Sequence, residues 1–428
     1  MRRPALILLS LIPALPLAAE TTFTRDVAPI IQAKCQHCHR PNDIAPFELL
    51  TYEDAVTWAA DIQRVIENRI MPPWKPVDGH GSFQGNYGLK DEERVTILNW
   101  IAAGTPQGDP ADMPPNAVER SKWELGEPDL VVSMPEPFEV PRAKDVYRCF
   151  VVPSNLESDR YITAVQVAPG NRALTHHTII YADTRGQARK LDEQDEGPGY
   201  NCFGGPGFDL GFNITSFLAG TGGMLGAWAP GVRAAHLPEG IGIHVPKGAD
   251  IVLEMHYFPN GRPGTDQSEV GLYFSKVPVN KRLRFLPLVD LNLDIPAGAK
   301  AHVEGIEVTV PPFLDMTAIL IGPHMHKIGR EIKVERIDRR NNVESLIYIN
   351  DWDFNWQNAY LFENPIPFPS GTSAKLTCVY NNSDENPNNP NNPLRNVTWG
   401  EGTEDEMCLA FIGITFDREN LAPQRTRR

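Results

Sequence analysis

From about Pro128 onward the chain breaks into short runs rich in β-branched and aromatic residues. They include Asp129–Ser133, Ile162–Val167, Thr178–Tyr181, Ile251–Tyr257 and Ala301–Val310, separated by Pro, Gly and Asn. Runs of this length bounded by turn residues specify antiparallel strands, and no long helical periodicity competes with them. The stretch exceeds one ordinary sandwich, so the expected architecture is two all-β antiparallel sandwiches in tandem, about 128–284 and 285–428.

The preceding segment follows different rules. Val27, Ile30 and Ile31 are spaced for a helix over Asp26–His39, which runs into Cys35-Gln36-His37-Cys38-His39. In this C-x-x-C-H pattern two thiols form thioethers with a haem and the adjacent His39 becomes the proximal iron ligand. Zinc is the alternative, but no second Cys/His pair follows at zinc-finger spacing. Thr51 with Asp54 caps a helix whose expected apolar face is Val56, Ala59, Ile62 and Ile66. A further helix from about Lys90 is expected to turn Val95, Leu98 and Ile101 inward and to stop at Gly104. Between them Met71, followed by Pro72 and Pro73, is the expected sixth iron ligand, ahead of Met113, His80 and His37. Residues 20–112 therefore read as a small all-α, cytochrome c-like domain. The Pro/Gly/Asp-rich stretch Thr105–Pro115 marks its boundary, with a linker over 113–127.

Residues 1–19 carry two arginines, an apolar run and Leu17-Ala18-Ala19, the pattern of a secretory signal, so a periplasmic or secreted protein is expected. No later stretch is long and apolar enough to cross a bilayer as a helix. The net charge of −14, made more negative by loss of Arg2 and Arg3, disfavours nucleic acid and anionic membrane surfaces as partners. Of six cysteines, the haem motif takes Cys35 and Cys38, leaving the others for disulfides in an exported chain.

Histidines punctuate the β-rich part. Thr317–Ile321 reads as a strand leading into Gly322-Pro323-His324-Met325-His326. Side chains at i and i+2 share a strand face, so His324 and His326 could hold one metal. Imidazoles suit copper or zinc, and a nearby thioether would favour copper. His176 and His177 open another run and His256 ends a third. Adjacent histidines point to opposite faces of a regular strand, so joint ligation by His176, His177 and His256 requires a bend at Thr175–His177.

These stretches resemble the copper type II, ascorbate-dependent monooxygenases, the family of peptidylglycine alpha-hydroxylating and dopamine beta-monooxygenases. Tyr147-Arg148-Cys149, Thr175-His176-His177-Thr178, Leu225–Ala229 with Leu237–Gly242, Leu253–Tyr257, His324-Met325-His326 and Asp405–Cys408 recur in the family's order over about Pro128–Asp417. The resemblance implies jelly-roll-like domains with one copper each: an electron-donating copper on His176, His177 and His256, and an oxygen-binding copper on His324, His326 and Met407. It also implies a Cys378–Cys408 bridge pinning the strand that presents Met407, which leaves Cys149 to pair with Cys202. The Asn/Pro-rich loop Asn381–Asn396 is expected to be solvent-exposed. His236, His244 and His302 match no ligand, and the sequons at Asn213, Asn381 and Asn396 carry little weight.

The implied activity is hydroxylation of a substrate C–H bond with dioxygen. In the family ascorbate is the reductant; here the fused haem is the expected donor, with an external reductant or redox protein upstream. Peptide-hydroxylating members carry an arginine two residues before the His-x-His pair, where this chain has Gly322. Leu409, Ala410 and Phe411 replace their Asn and Tyr, so a small, less polar substrate is expected instead of a peptide. The rival reading is a non-catalytic copper/haem electron-transfer or copper-binding protein, which would take up copper reversibly without consuming oxygen.

Overall fold

The structure, a computed structural model, describes residues 20–41, 43–115, 122–142, 145–210, 217–218, 223–258 and 263–421. The expected signal at 1–19 and the Asn213 sequon lie outside the described residues. The chain divides into two compact units. One comprises Met1–His39, Phe47–Pro72 and Leu89–Asn116; the other comprises Arg40–Pro46, Pro73–Gly88 and Ala117–Arg428.

The first unit is helical. A π-turn at Phe23–Val27 leads into the helix Ala28–Lys34, followed by helices Tyr52–Thr57, Ala59–Glu67 and Asp91–Ala102. The Thr51–Asp54 capping box forms as expected: Thr51 Oγ1 accepts from the Asp54 N–H at 3.1 Å, and Asp54 accepts from the Thr51 N–H at 2.9 Å. Both inward faces follow the expected ones in part: Ile62 and Ile66 are buried and Leu98 and Ile101 pack partly buried against the core, but each face is shifted at its start. Ala55 is buried while Val56 is 37% exposed, and Ile97 and Trp100 are buried while Val95 is 53% exposed. The helix break at Trp58 shifts the first face, and the bulk of Trp100 against Phe23 fixes the second. Thr105–Gln107 is packed onto this unit, with the Thr105 carbonyl accepting from Tyr52 Oη and the Pro106 carbonyl from Trp100 Nε1.

The second unit is built of sheets that are antiparallel, as expected, except where Lys281–Arg282 pairs in parallel with Ile241–Gly242. Five-stranded sheets ordered Leu130–Ser133, Glu269–Phe274, Arg160–Ala168, Ile241–Val245, Lys281–Arg282 and Tyr200–Asn201, Val146–Pro153, Asp250–Tyr257, Thr175–Asp183, Met224–Trp228 share one core. Four-stranded sheets ordered Arg284–Asp290, Cys408–Phe416, Met316–His324, Tyr360–Phe368 and His302–Thr309, Ser373–Tyr380, Gly329–Ile337, Val343–Ile349 share another. The strand Met316–His324 serves both cores. Ile319 and Leu320 face the core of the first sandwich, and the bulge between Ala318 and Leu320 lets Ala318 and Ile321, three residues apart, both face their own. Burial on both faces explains why Thr317–Ile321 reads as a continuous apolar run rather than an alternation.

Pro73–Gly88, which falls inside the expected 20–112 domain, belongs to the β unit. Its Gln84 N–H donates to the Leu361 carbonyl at 2.8 Å, and Trp74 and Phe83 pack edge-on and tilted against Tyr360. Gly81 has φ +88°, and a Cβ there would lie 2.2 Å from the Leu346 carbonyl oxygen. Only glycine allows that approach.

Two disulfides form, Cys149–Cys202 and Cys378–Cys408, while Cys35 and Cys38 form no disulfide with each other. The loop Asn381–Asn396 is exposed over most of its residues, as expected, but Asn382, Ser383, Asn386 and Asn391 are buried. Asn382 Nδ2 donates to the carbonyls of Ile295, Pro296 and Arg395, so the asparagines satisfy backbone groups instead of meeting solvent.

Candidate functional site

The strand Thr175–Asp183 pairs with Asp250–Tyr257 through a bulge between Thr175 and His177. A bulge places an extra residue in one strand and re-aims its side chain, and here it supplies the bend that joint use of His176 and His177 requires. His176 Nδ1 lies 3.3 Å from His177 Nδ1 and 3.2 Å from His256 Nδ1, and the third edge is 3.3 Å. Donors about 2.0–2.1 Å from a tetrahedral metal lie about 3.3–3.4 Å apart, so the triangle fits a single ion. Among the described residues it is the one group of three or more His, Cys, Asp or Glu donors so convergent.

Burial sets the charge of this triangle. It pushes His176 down to about 3 and His177 well below the ordinary imidazole range, with neighbouring imidazoles adding to the effect. His256 is lowered by burial, opposed by Asp145, whose carboxylate faces His256 Nε2 at 3.5 Å. Neutral rings with lone pairs turned inward are the form a metal requires, and Asp145 is placed to keep the His256 proton on Nε2. Tyr147 stacks on His256 at 4.1 Å with 7° between the rings.

The second group sits on the other sandwich. His324 ends its strand in register with Leu409, and Met407, just before the strand Cys408–Phe416, lines the same cavity as His324. His324 and His326 rings are 5.1 Å apart. Each Nδ1 already has a partner: Gln357 Oε1 at 2.5 Å for His324 and the Asp405 carbonyl at 3.1 Å for His326. Those acceptors hold the proton on Nδ1 and leave both Nε2 atoms as donors. Burial pushes His324 down to about 3 and His326 to about 4. Glu406, wholly buried, accepts the N–H groups of His326, Ile328 and Met407 at 2.8, 2.8 and 3.2 Å, and Tyr380 Oη donates to the Met407 carbonyl at 2.8 Å.

His324, His326, Met407 and His177 all line one cavity of 970 Å³. Its wall is mainly apolar, with Leu225, Phe285, Leu361 and Trp399, and includes the Leu409 and Phe411 side chains singled out in the sequence. Glu254 is a polar exception; burial pushes it up to about 7 against the hydrogen bond from Tyr181.

In the helical unit His39 Nδ1 meets the Phe47 carbonyl at 3.0 Å, which leaves Nε2 as its donor. Cys35 and Cys38 are half-buried, and with His39 they form no convergent donor group of the kind zinc requires. Met71 is half-buried with its N–H on the Val65 carbonyl, while Met113 packs against the helical core. His236, His244 and His302 bond Thr163, Asp159 and Glu304 and join neither imidazole group.

Gln357, Phe354, Asp145 and the clamping role of Glu406 escaped the sequence reading. They act from turns and strand ends, where no fixed spacing announces them.

Residues 311–418 match the family described as copper type II ascorbate-dependent monooxygenase, C-terminal domain. The chain is 25% identical over 309 residues to human DBH-like monooxygenase protein 1, covering 66% of this chain and 46% of that protein. It is 23% identical over 273 residues to dopamine beta-hydroxylase of Canis lupus familiaris, covering 58% of this chain and 38% of that protein. The chain thus spans less than half the length of these curated relatives. Among solved structures, PNGase F, a glycosylasparaginase from Flavobacterium meningosepticum, shares 10% identity over 67% of this chain and 96% of that one, with a TM-score of 0.26. The sequence likenesses support kinship of the β unit with the copper type II monooxygenases.

Proposed function

We propose that this protein is an exported, copper- and haem-dependent monooxygenase that hydroxylates a C–H bond of a small, largely apolar organic molecule. The observation that carries the reading is that two neutral imidazole groups, one a three-nitrogen triangle and one paired with a thioether, border the same apolar cavity. Bound copper would supply one-electron chemistry with dioxygen, and a thioether donor suits its reduced state. The His176, His177 and His256 Nδ1 atoms would hold one ion; His324 and His326 Nε2 with Met407 would hold the other.

The remaining work falls to the protein's own groups. Gln357 and Asp405 fix which nitrogen of His324 and His326 is free. Glu406 and Tyr380 hold the segment that presents Met407. The cavity is of the size that encloses a small organic ligand, and its apolar wall limits water around the reacting bond. Lacking an arginine at Gly322, it offers no cation there to a peptide carboxylate.

Cys35 and Cys38 would attach a c-type haem with His39 as proximal ligand, and Met71 is the proposed sixth ligand; the Phe47 carbonyl orients His39 accordingly. This haem is the proposed electron donor to the coppers, with an external reductant upstream. The disulfides fit an oxidising compartment, periplasmic or extracellular. Among the described residues no helix is long and apolar enough to cross a membrane.

The test reduces the haem of copper-loaded protein anaerobically, then adds dioxygen with a panel of small aromatic and aliphatic candidates. Haem oxidation coupled to a hydroxylated product supports the reading. Haem oxidation without product, or no oxidation, contradicts it.

A further inference from the structure

The turn Trp352–Gln357 lies between the strands Val343–Ile349 and Tyr360–Phe368, and its contacts reach both imidazole groups. Asp353 shapes it: the carboxylate accepts the Asn355 N–H at 2.9 Å and the carbonyl accepts the Trp356 N–H at 3.0 Å. The turn is fastened to the second group by the Trp352 indole, which donates to the His326 carbonyl at 3.2 Å, and by Gln357 on His324. Gln357 Nε2 also donates to the Phe354 carbonyl at 2.8 Å, so one amide orients His324 and holds the backbone of Phe354.

The Phe354 ring then makes two aromatic contacts. It meets His326 nearly perpendicular at 5.9 Å and stacks on His176 at 4.9 Å with 24° between the planes. It is 9% exposed and lines the cavity. A looser connection runs at the surface, where Lys327 lies 5.7 Å from the Phe258 ring and Phe258 lies 6.0 Å from His176; Phe258 is 40% exposed.

We propose that Phe354 is a positioning residue that sets the separation of the two copper sites, holding one imidazole of each set a single aromatic ring apart. The proposal rests on the copper reading above. His176 stands on the first sandwich and His326 on the second, each supported by its own core. A close-packed interior leaves little slack, so the ring's dimensions become the spacing. A smaller side chain leaves a gap that the two walls close or water fills.

The experiment loads the full chain with two equivalents of Cu(II) and measures the copper-to-copper distance distribution by pulsed dipolar EPR in wild type, Phe354→Tyr, Phe354→Leu and Phe354→Ala. The proposal expects one narrow distribution in wild type and Phe354→Tyr. It expects a shifted or broadened one in the smaller variants, with two coppers still bound. Phe354→Leu keeps most of the apolar volume and serves if Phe354→Ala does not fold. An unchanged distribution in the smaller variants overturns the proposal. Failure of the wild type to bind two coppers contradicts the copper reading instead. The spacing is then decided by crystal structures of copper-free wild type and Phe354→Leu: an altered His176–His326 ring separation upholds it, and an unchanged one overturns it.

Discussion

The buried carboxylate of Glu406 accepts the backbone N–H of His326 at 2.8 Å, and so ties the turn that carries the His-x-His pair to the residue preceding Met407. Two segments distant in sequence are thereby held as one unit, which would present the proposed ligands. Glu406→Gln keeps the shape but replaces one acceptor oxygen by an N–H donor facing other N–H donors. Leaving a buried donor unmatched costs about 1–3 kcal/mol. Denaturant unfolding should show a loss of that size, and copper titration should show weakened binding at this site with the three-histidine site unaffected.

Met407→Ile exchanges the thioether for a hydrocarbon of similar volume, for which the stability change should stay below about 1.5 kcal/mol. Product formation should disappear, the copper–sulfur signal should vanish from X-ray absorption, and the haem spectrum should persist. Full activity in this variant would remove Met407 from the proposed site.

Removing the Cys378–Cys408 bridge, which spans 30 residues, should cost about 3–4 kcal/mol. Because Cys408 adjoins Met407, the double Cys→Ser variant should also lose copper affinity at the thioether site before it loses it at the three-histidine site. Calorimetry and stepwise copper titration separate the two effects.

The imidazoles give a signed pH dependence. Burial lowers the folded pKa of His176 to about 3 and of His326 to about 4, whereas an unfolded imidazole titrates near 6.5. Below about pH 6.5 the unfolded chain takes up protons that these folded imidazoles do not, so their contribution to stability falls as pH drops from 6.5 toward 4–3. Burial raises Glu254 to about 7 and Glu406 to about 8 from 4.5, which gives the opposite slope, with stability falling as pH rises through 7–8. Urea unfolding of copper-free protein across pH 4–8 should show a maximum near pH 6.5 with a decline on either side. Copper loading at pH 7 should release no imidazole protons, which pH-indicator titration can read directly.

Cys35→Ala with Cys38→Ala should abolish covalent haem, measured as loss of the haem mass from the intact chain. Copper stoichiometry of the β unit should be unaltered.

Much of the β unit was legible because strand chemistry is local. The apolar runs and the demand for a bend at Thr175–His177 follow from two-residue alternation; His326 instead lies beyond the strand that ends at His324 and reaches its partner ring from the connecting segment. The helical faces were less legible: Val56 and Val95 are as apolar as the Ala55 and Ile97 that replace them, and only the break at Trp58 and the bulk of Trp100 set the phase. The Asn381–Asn396 loop was legible as surface at most of its positions, but not at Asn382, Asn386 and Asn391, whose buried amides have carbonyls to satisfy. Pro73–Gly88 was assigned to the wrong neighbour in space, since edge pairing such as Gln84 to Leu361 uses backbone groups that every residue has. Glu406, Gln357 and Phe354 act through backbone N–H groups, ring nitrogens and ring faces, contacts that no sequence spacing encodes.

The central claim is tested most directly by turnover under oxygen-18 gas with the copper-loaded protein and a substrate that it consumes. The account predicts a product one oxygen heavier that carries a single oxygen-18 atom, with the second atom recovered in water and two electrons consumed per product. Copper-dependent oxygen uptake that leaves unlabelled product, or copper binding with no oxygen uptake for any candidate, would contradict it.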